Sequence, residues 1–389
     1  MRVVVCTVVH HPADARILHR EIRALLDAGH DVLYIAPFRA CDVTPWPEVR
    51  AVDVPRAVGR RRLGALRAAQ RQLEKYAPHA DLLLIHDPEL LLVLPLVRHR
   101  PPTVWDVHED TAAALATKAW LPGALRRAAA AGVLRAEGLA EQHLHLLMAE
   151  TSYNERFAGL HPVVPNTTYV PDQAAPYDGQ ARVVYVGHLS PDRGAAELVG
   201  LAELVHPDGI TVELIGSADA RARAVIEPAR DAGILRWHGY TPNDEAMLIT
   251  DGALAGLSLL QDDPNLRHSM PTKVAEYMAR GVPVITTPLP LAADLVERSG
   301  CGFIVPFGDP AAAAEAVRAL QKDPALRDAM GARGHQDAAQ FLRWPEDARA
   351  FVAQLERWAG VSSLPDGVAV AGTGTPAAVS SPVSGPDDR

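Results

Sequence analysis

The sequence predicts an α/β protein with two doubly wound parallel sheets, one in each half of the chain. Short aliphatic runs alternate with amphipathic helical segments through residues 1–360, which is typical of parallel sheets covered by helices on both faces. The chain has 389 residues, 48% of them hydrophobic, and this length exceeds what one ordinary core supports. A turn-rich stretch at residues 165–180, "PNTTYVPDQAAPYDGQ", separates the halves.

The first half contains a series of predicted strands. It opens with "RVVVCTVV", continues through the helical pattern "DARILHREIRALLDAGH", which Gly29 is expected to end, and returns to a strand in "DVLYIAP". Further strands are contained in "ADLLLIHDPELLLVLPLV", "TVWDVHED" and "HLHLLMAET". The apolar face of the helix is formed by Ile17, Leu18, Ile22, Leu25 and Leu26.

The second half repeats this alternation, with strands predicted in "ARVVYVGHL", "TVELIGSA", "ILRWHGY", "GALAGLSLL" and "VPVITT". A last amphipathic helix follows at 341–360, and we expect it to pack back toward the first half. The segment 361–389 is rich in Gly, Pro, Ser and Ala, which predicts a disordered tail. The expected domains are therefore 1–170 and 171–340.

Charge and cysteine content disfavour several classes of protein. The net charge of -9 and the pI near 6.0 argue against a nucleic-acid binder, which normally carries a basic excess. The three cysteines are widely spaced and form no CxxC motif, so we expect a reducing compartment without a disulfide or zinc site. Since neither a signal peptide nor an apolar run of about 20 residues is visible, we expect a cytoplasmic protein.

One segment offers a surface for weak contact with an anionic membrane. Residues 118–145 predict an amphipathic helix pair in which Trp120, Leu121 and Leu125 lie near Arg126 and Arg127. Such helices more often cover a sheet. Both interpretations stay open, a peripheral location at the inner membrane face and a purely structural role.

The strand ends of the second half carry residues suited to an anionic ligand. Ligands of open α/β sheets bind beyond the carboxyl ends of the strands, where "YVGHLSPDRG" places Gly187 and "ELIGSAD" places Gly216. Glycine lets a ligand approach the backbone closely. Arg193 precedes the helical pattern "AAELV", so guanidinium and helix N-terminus could face one anion. The alternative is a plain turn with a solvated arginine.

The stretch "SMPTKVAEYMARGVPVITT" supplies a second cation and a carboxylate. Ser269 is a plausible N-cap and Pro271 a plausible first-turn residue, which places Lys273 at a helix N-terminus that favours anions. Glu276 shares the helical face of Lys273 and could accept hydrogen bonds from two vicinal hydroxyls. An ordinary surface ion pair between the two is the alternative.

These motifs resemble the donor domain of retaining GT-B glycosyltransferases of glycosyltransferase family 4. The similarity rests on "PTKVAEYMARGVPVITT", "YVGHLSPDRGAAELV" and the "GDPAAAAEAVRAL" after "CGFIVPF". It implies two Rossmann-like domains facing each other across a cleft, and a UDP- or GDP-sugar as donor substrate. Arg193 and Lys273 would bind the diphosphate, Glu276 the ribose, and His108 the sugar near the reacting carbon. The donor site would also include Gly187, Gly216, Gly239, Tyr240 and His268.

The chain departs from the family pattern at one position. The family usually has two glutamates separated by seven residues, and His268 stands where the first is expected. Since that glutamate commonly contacts the donor sugar, the identity of the sugar is open. Arg267 could compensate for it.

The first half must supply the acceptor site. Polar residues follow three predicted strands, and in "VVHHPADARI" they replace the glycine-rich loop of many relatives. Asp14 could equally be a helix cap. The predicted acceptor-binding residues are His10, His11, Asp14, Arg16, His86, Asp87 and Glu109. The acceptor would be the hydroxyl of a glycan, a lipid-linked sugar or a small natural product.

No metal or cofactor is expected beyond the nucleotide-sugar. The His and acidic clusters lack H-x-E or HExxH spacing, and "QDDPN" is not a D-x-D motif. Two other functions stay open. A nucleotide-sugar epimerase would use Asp87, Glu109 and Asp110 as acid and base, and a catalytically silent binding protein would fit the loss of glutamate at His268.

Overall fold

Two six-stranded parallel sheets, each flanked by helices, face each other across a cleft. The structure is a computed structural model that describes residues 1–108, 123–263, 266–267 and 270–361, with the backbone alone for 123–127. The predicted fold class is confirmed. The predicted tail starts at residue 361, and residues 362–389 lie outside the described part of the chain.

The first sheet has the strand order β3-β2-β1-β4-β5-β6. Its strands are β1 (Arg2–Cys6), β2 (Asp31–Ala36), β3 (Arg50–Asp53), β4 (Leu82–Ile85), β5 (Thr103–Val107) and β6 (His145–Met148). The sequence did not predict β3, because this edge strand is short and largely exposed. The strand order reverses between β1 and β4, so a ligand crevice is expected at their carboxyl ends.

The second sheet repeats this order as β12-β11-β10-β7-β8-β9. Its strands are β7 (Arg182–Val186), β8 (Thr211–Ile215), β9 (Leu235–Gly239), β10 (Ala255–Ser258), β11 (Val284–Thr286) and β12 (Gly302–Ile304). The short strand β12 was not predicted either. The corresponding crevice lies at the carboxyl ends of β7 and β10.

Helices cover both sheets. In the first lobe, a π-helical turn (Ile17–Ile22) leads into α1 (Arg23–Asp27), followed by α2 (Arg62–Tyr76) and α3 (Gly123–His143). The second lobe contains α4 (Ala195–Val205), α5 (Ala220–Asp231), α6 (Asn243–Thr250), α7 (Thr272–Ala279), α8 (Pro290–Ser299), α9 (Pro310–Lys322) and α10 (Pro324–Phe341). The described part of the predicted helix pair at 118–145 is one helix, α3, and the side chains expected to meet lipid lie outside the described residues.

The last helix, α11 (Trp344–Ala359), belongs to the core of the first lobe. Its side chains Trp344, Phe351 and Leu355 are buried among first-lobe residues such as Val3 and Ile17. The chain returns to that lobe beside the outgoing linker, where Thr168 N donates to Leu342 O at 2.9 Å. Among the described helices, none has the length and apolar composition needed to cross a bilayer.

Candidate active site

Two glycines lie at the carboxyl ends of β7 and β8. Gly187 and Gly216 have φ angles of +125° and +145°, which residues with a side chain rarely adopt. A Cβ atom on Gly216 would lie 2.0 Å from the Gly187 carbonyl oxygen, and one on Gly187 would lie 3.5 Å from Lys273 Nζ. Glycine at position 216 therefore lets the two loops approach closely, and at position 187 the φ angle favours glycine.

Lys273 is a buried cation in the first turn of α7. It is 5% exposed, and its Nζ lies 3.9 Å from the centroid of the Tyr185 ring. Burial and the nearby Arg193 lower the pKa of Lys273 well below its ordinary value, while Glu276 opposes this shift. The amine is destabilised by other positive charge and lies at a helix N-terminus, so an arriving anion would stabilise it.

Arg193 provides the second cation. It ends the turn Pro191–Arg193 immediately before α4, and it lines the same cavity as Lys273. The turn is held tightly against the end of β10, because a Cβ on Gly194 would lie 2.0 Å from Leu259 O. The two positive side chains therefore come together at the carboxyl edge of the second sheet.

Glu276 lies one helical turn after Lys273 but binds other partners. It is 3% exposed, and its Oε1 accepts hydrogen bonds from Asn243 Nδ2 at 3.0 Å and from Arg20 Nη2 at 3.3 Å. The alternative of an exposed Lys273–Glu276 ion pair is therefore wrong, because both side chains are buried. The predicted contact between Glu276 and a ribose stays a prediction.

Asp106, at the end of β5, is the centre of a buried polar network in the first lobe. Its carboxylate accepts from Arg16 at 2.8 and 2.6 Å, from His86 Nδ1 at 3.2 Å and from His108 Nδ1 at 3.0 Å. Burial opposes its ionisation, but these donors hold the pKa of Asp106 well below its ordinary value. The permanent charge of Asp106 orients the His108 ring.

His108 directs its other ring nitrogen toward the cleft, where it meets His10. The two Nε2 atoms lie 3.1 Å apart, and His10 Nε2 lies 3.3 Å from Asp87 Oδ1. Since His108 Nδ1 carries the hydrogen that Asp106 accepts, a neutral His108 accepts at Nε2 and His10 donates. The Nε2 atom of His108 is therefore engaged with His10 at the mouth of the first sheet.

Three predicted acceptor ligands are bound by other groups of the first lobe, and their contact with an acceptor stays a prediction. Asp87 is fully buried and accepts from Thr7 Oγ1 and from the amides of Val8 and Val9, so it closes the loop after β1. His86 is buried against Asp106. The guanidinium of Arg16 lines the cavity but is bound by Asp106, Glu21, Val164 O and Asn166.

Other predicted residues remain near the cleft. Asp14 lines it, and its Oδ1 also accepts from the amides of Arg16 and Ile17, as expected of a helix cap. The rings of His11 and Tyr240 meet across the cleft with centroids 4.7 Å apart, and Gly239 precedes Tyr240 with φ +74°.

Three predicted site residues, Glu109, Asp110 and His268, lie outside the described residues, as does Ser269, the expected N-cap of α7. The cap position of α7 is occupied by Pro271. Arg267, the suggested compensating residue, instead pairs with Asp262 at 2.8 Å on the exposed surface.

A cavity of about 250 Å³ joins these groups between the lobes. Its lining includes Asp14, Arg20, His108, Arg193 and Lys273. A larger groove of about 420 Å³ contains Tyr169 and Trp344 but no residue from the carboxyl ends of the strands. The smaller cavity is therefore the candidate site, because cations from one lobe and polar groups from the other converge on it.

The cluster of His86, Asp106 and His108 has the residue types of a metal site, but a fixed positive charge lies next to it. Their ligand atoms all lie within 4.8 Å of one another. However, Arg16 binds both oxygens of Asp106, so a divalent ion there would face a fixed guanidinium. We interpret the cluster as a hydrogen-bonded network, and metal independence stays a prediction.

Sequence reasoning missed Tyr185, Arg20, Asn243 and Glu150. Tyr185 belongs to a strand in which every residue is buried, so its ring has the pattern of a core residue. Asn243 and Glu150 occur outside any recognised motif. Arg20 lies opposite the apolar face of its helix, and only the other lobe makes it a site residue.

Glu150 links the lobes and predicts a pH dependence of stability. Its Oε1 accepts from Met270 N at 3.2 Å across the cleft, and burial raises its pKa to about 7 from 4.5. Because the folded pKa is the higher one, the folded protein retains this proton longer, and the contribution to stability declines as pH rises from 4.5 to 7. Glu150→Gln keeps the accepting oxygen but cannot ionise. We therefore expect the free energy of unfolding to fall by about 2 kcal/mol less in this variant than in the wild type as the pH rises.

The measurement is the free energy of unfolding in urea at pH 5 and at pH 8. The control is Glu203→Gln, which changes an exposed glutamate of α4 and should follow the wild-type pH profile. Parallel profiles for wild type and Glu150→Gln would contradict the prediction.

Two facing Rossmann-like sheets with cations at the inner edge of one of them form the architecture of the GT-B fold. The match to known protein families agrees with this assignment. Residues 169–337, which include most of the second lobe, match the family model "Glycosyl transferases group 1". No curated protein matches the chain significantly.

Solved structures are similar over nearly the whole chain. Sucrose-phosphate synthase from Thermosynechococcus elongatus is 17% identical, with a TM-score of 0.71 over 93% of this chain and 99% of that one. Anabaena HepE in complex with UDP-glucose is 15% identical, with a TM-score of 0.67 over 92% and 100%. WaaG, a glycosyltransferase involved in lipopolysaccharide biosynthesis, is 15% identical, with a TM-score of 0.66 over 90% and 98%. At these identities the likeness shows the fold.

Proposed function

We propose that this protein is a glycosyltransferase that moves a sugar from a nucleoside diphosphate sugar to a hydroxyl acceptor with retention of configuration. The observation that carries the proposal is the buried Lys273 at the N-terminus of α7, next to Arg193 and to the glycines of the strand ends. A diphosphate has the charge and size to occupy this position. The HepE structures, solved with UDP, with UDP-glucose and with UDP and glucose, support a UDP-sugar as donor.

The proposed chemistry needs no protein nucleophile. The acceptor oxygen forms a bond to the anomeric carbon on the face from which the diphosphate departs, and the bond from that carbon to the phosphate oxygen breaks. The acceptor proton passes to the departing phosphate. Arg193, Lys273 and the helix N-termini stabilise the negative charge that develops there, and His108 contacts the sugar. A divalent ion is not required in this scheme.

The acceptor and the location of the protein belong to the same proposal. On the cleft side of the first lobe, the half-buried His10, His11 and Asp14 can bind hydroxyl groups of a glycan, a lipid-linked sugar or a small natural product. We place the protein in the cytoplasm, with weak membrane contact through residues 118–145. The exposed Leu134 and Leu139 of α3 are compatible with that contact.

Donor binding is the first test. We expect UDP or GDP to raise the melting temperature of the protein and to bind with a measurable Kd in calorimetry, whereas the free nucleosides should bind much more weakly because they lack the diphosphate. Uridine and guanosine are the matched controls. Equal affinity for nucleoside and diphosphate would contradict the assignment of Lys273 and Arg193.

Turnover then separates the alternatives. A transferase consumes a UDP- or GDP-sugar faster when an acceptor is added, and the product has the anomeric configuration of the donor. A nucleotide-sugar epimerase would convert the donor without any acceptor, and a silent binding protein would bind it without turnover over an acceptor panel. Detection of products by NMR decides among the three.

A further inference from the structure

Arg20 reaches across the cleft from the first lobe into the candidate site of the second. Its Nη2 lies 3.3 Å from Glu276 Oε1, and both side chains are 4% exposed. The same carboxylate oxygen is held from another side by Asn243 at 3.0 Å. The contact therefore joins two residues separated by most of the chain in a place that excludes water.

Arg20 belongs to a π-helical turn that also carries Arg16 as its N-cap residue. Residues Ile17–Ile22 form a π-helical turn, in which Glu21 N donates to Arg16 O at 2.9 Å. A wider turn changes which residues share a face, so Arg16 meets Glu21 inside the first lobe at 3.0 Å. Arg20, four residues after Arg16, lines the same cavity as Arg16 and extends toward the second lobe.

One nitrogen of the Arg20 guanidinium, Nη1, has no hydrogen-bond partner among the described residues. Arg20 Nη1 is buried and makes no hydrogen bond, although Arg20 itself lines the cavity that contains Lys273 and Arg193. Burial lowers the pKa of Arg20, and Glu276 partly restores it. An unsatisfied buried donor on a charged group is costly, which indicates a place where a ligand oxygen belongs.

We propose that Arg20 is a donor-binding residue supplied by the first lobe, and that its Nη1 donates to an oxygen of the nucleoside diphosphate. This inference rests on the proposed function. Arg20 would bind Glu276 through Nη2 and the ligand through Nη1, because a guanidinium presents separate N–H donors in a fixed planar arrangement. The donor site would then be complete only when the two lobes are together.

The test is the Kd of UDP, or of GDP if that is the better ligand, measured by calorimetry on the full chain. We expect Arg20→Met to raise the Kd about tenfold or more, because a charge-assisted hydrogen bond is lost. Arg23→Met is the matched control. It removes the same charge three residues later, from a side chain that pairs with Asp27 and Glu48 at the surface, and it should leave the Kd within twofold.

The same substitution made in a Glu276→Gln variant tells whether Arg20 contacts the ligand directly or acts on it through Glu276. The Glu276→Gln protein lacks the ion pair between Arg20 and residue 276, so Arg20→Met should still raise the Kd at least fivefold if Nη1 contacts the ligand. The proposal is overturned if the effect disappears in this background, or if Arg20→Met alone binds like wild type. Failure of the wild-type protein to bind any nucleoside diphosphate would instead reject the proposed function itself.

Discussion

Replacing Lys273 with methionine is expected to lower kcat about 10²- to 10³-fold while the protein stays folded. The lysine is buried at the N-terminus of α7 over the ring of Tyr185, where its charge would stabilise the departing diphosphate. Methionine keeps most of the volume and the contact with the ring, so packing is little changed. The measurement is steady-state kinetics with saturating donor and acceptor, together with circular dichroism and a melting curve.

The control for this prediction is Lys75→Met. Lys75 also lies over a tyrosine ring, that of Tyr76, at 4.8 Å, but it is exposed on α2 away from the cleft. Its replacement should leave kcat unchanged. Normal turnover by a folded Lys273→Met protein would reject the role assigned to the lysine.

The pH dependence of kcat/KM for the wild-type protein should reflect the ionisation of Lys273. Burial and Arg193 lower the pKa of Lys273, and the amine is charged only below its pKa. The alkaline decline of kcat/KM should therefore begin well below the ordinary pKa of lysine.

Asp106→Ala is expected to lower the free energy of unfolding by about 3–5 kcal/mol, because it removes one partner of a buried ion pair. Asp106 binds the Arg16 guanidinium through both oxygens, and the variant leaves Glu21 as the remaining ion-pair partner of Arg16 among the described residues. His86 and His108 lose their acceptor as well. Chemical denaturation followed by tryptophan fluorescence measures the effect, since Trp105 is adjacent to Asp106 in β5.

Asp294→Ala is the control for this effect. Asp294 pairs with Arg298 at 2.9 Å on the exposed face of α8, and its loss should cost less than about 1 kcal/mol. If Asp106→Ala and Asp294→Ala were equally stable, the network around Asp106 would not stabilise the first lobe.

The second-lobe site was predictable because its signals are local. Gly187 and Gly216 directly follow strands, and Lys273 lies in the first turn of a helix, so the sequence neighbours of each residue define its place. The chemical roles of these residues follow from the family resemblance and await the experiments above.

The first-lobe site was less predictable because burial there depends on distant contacts. Asp87 and His86 follow β4 and were expected to face the cleft, but the loop after β1 binds Asp87 and Asp106 of β5 binds His86. Arg20 shows the opposite error. A helical period places it on a solvent-facing side, and only the approach of the second lobe buries it.

The position of α11 has a consequence for synthesis on the ribosome. Trp344, Phe351 and Leu355 complete the interior of the first lobe, yet they are translated after the entire second lobe. One apolar face of the N-terminal sheet therefore stays uncovered until these residues leave the ribosome. The first lobe, although synthesised first, completes its folding last. An isolated fragment ending near residue 170 would keep that face bare and be prone to self-association.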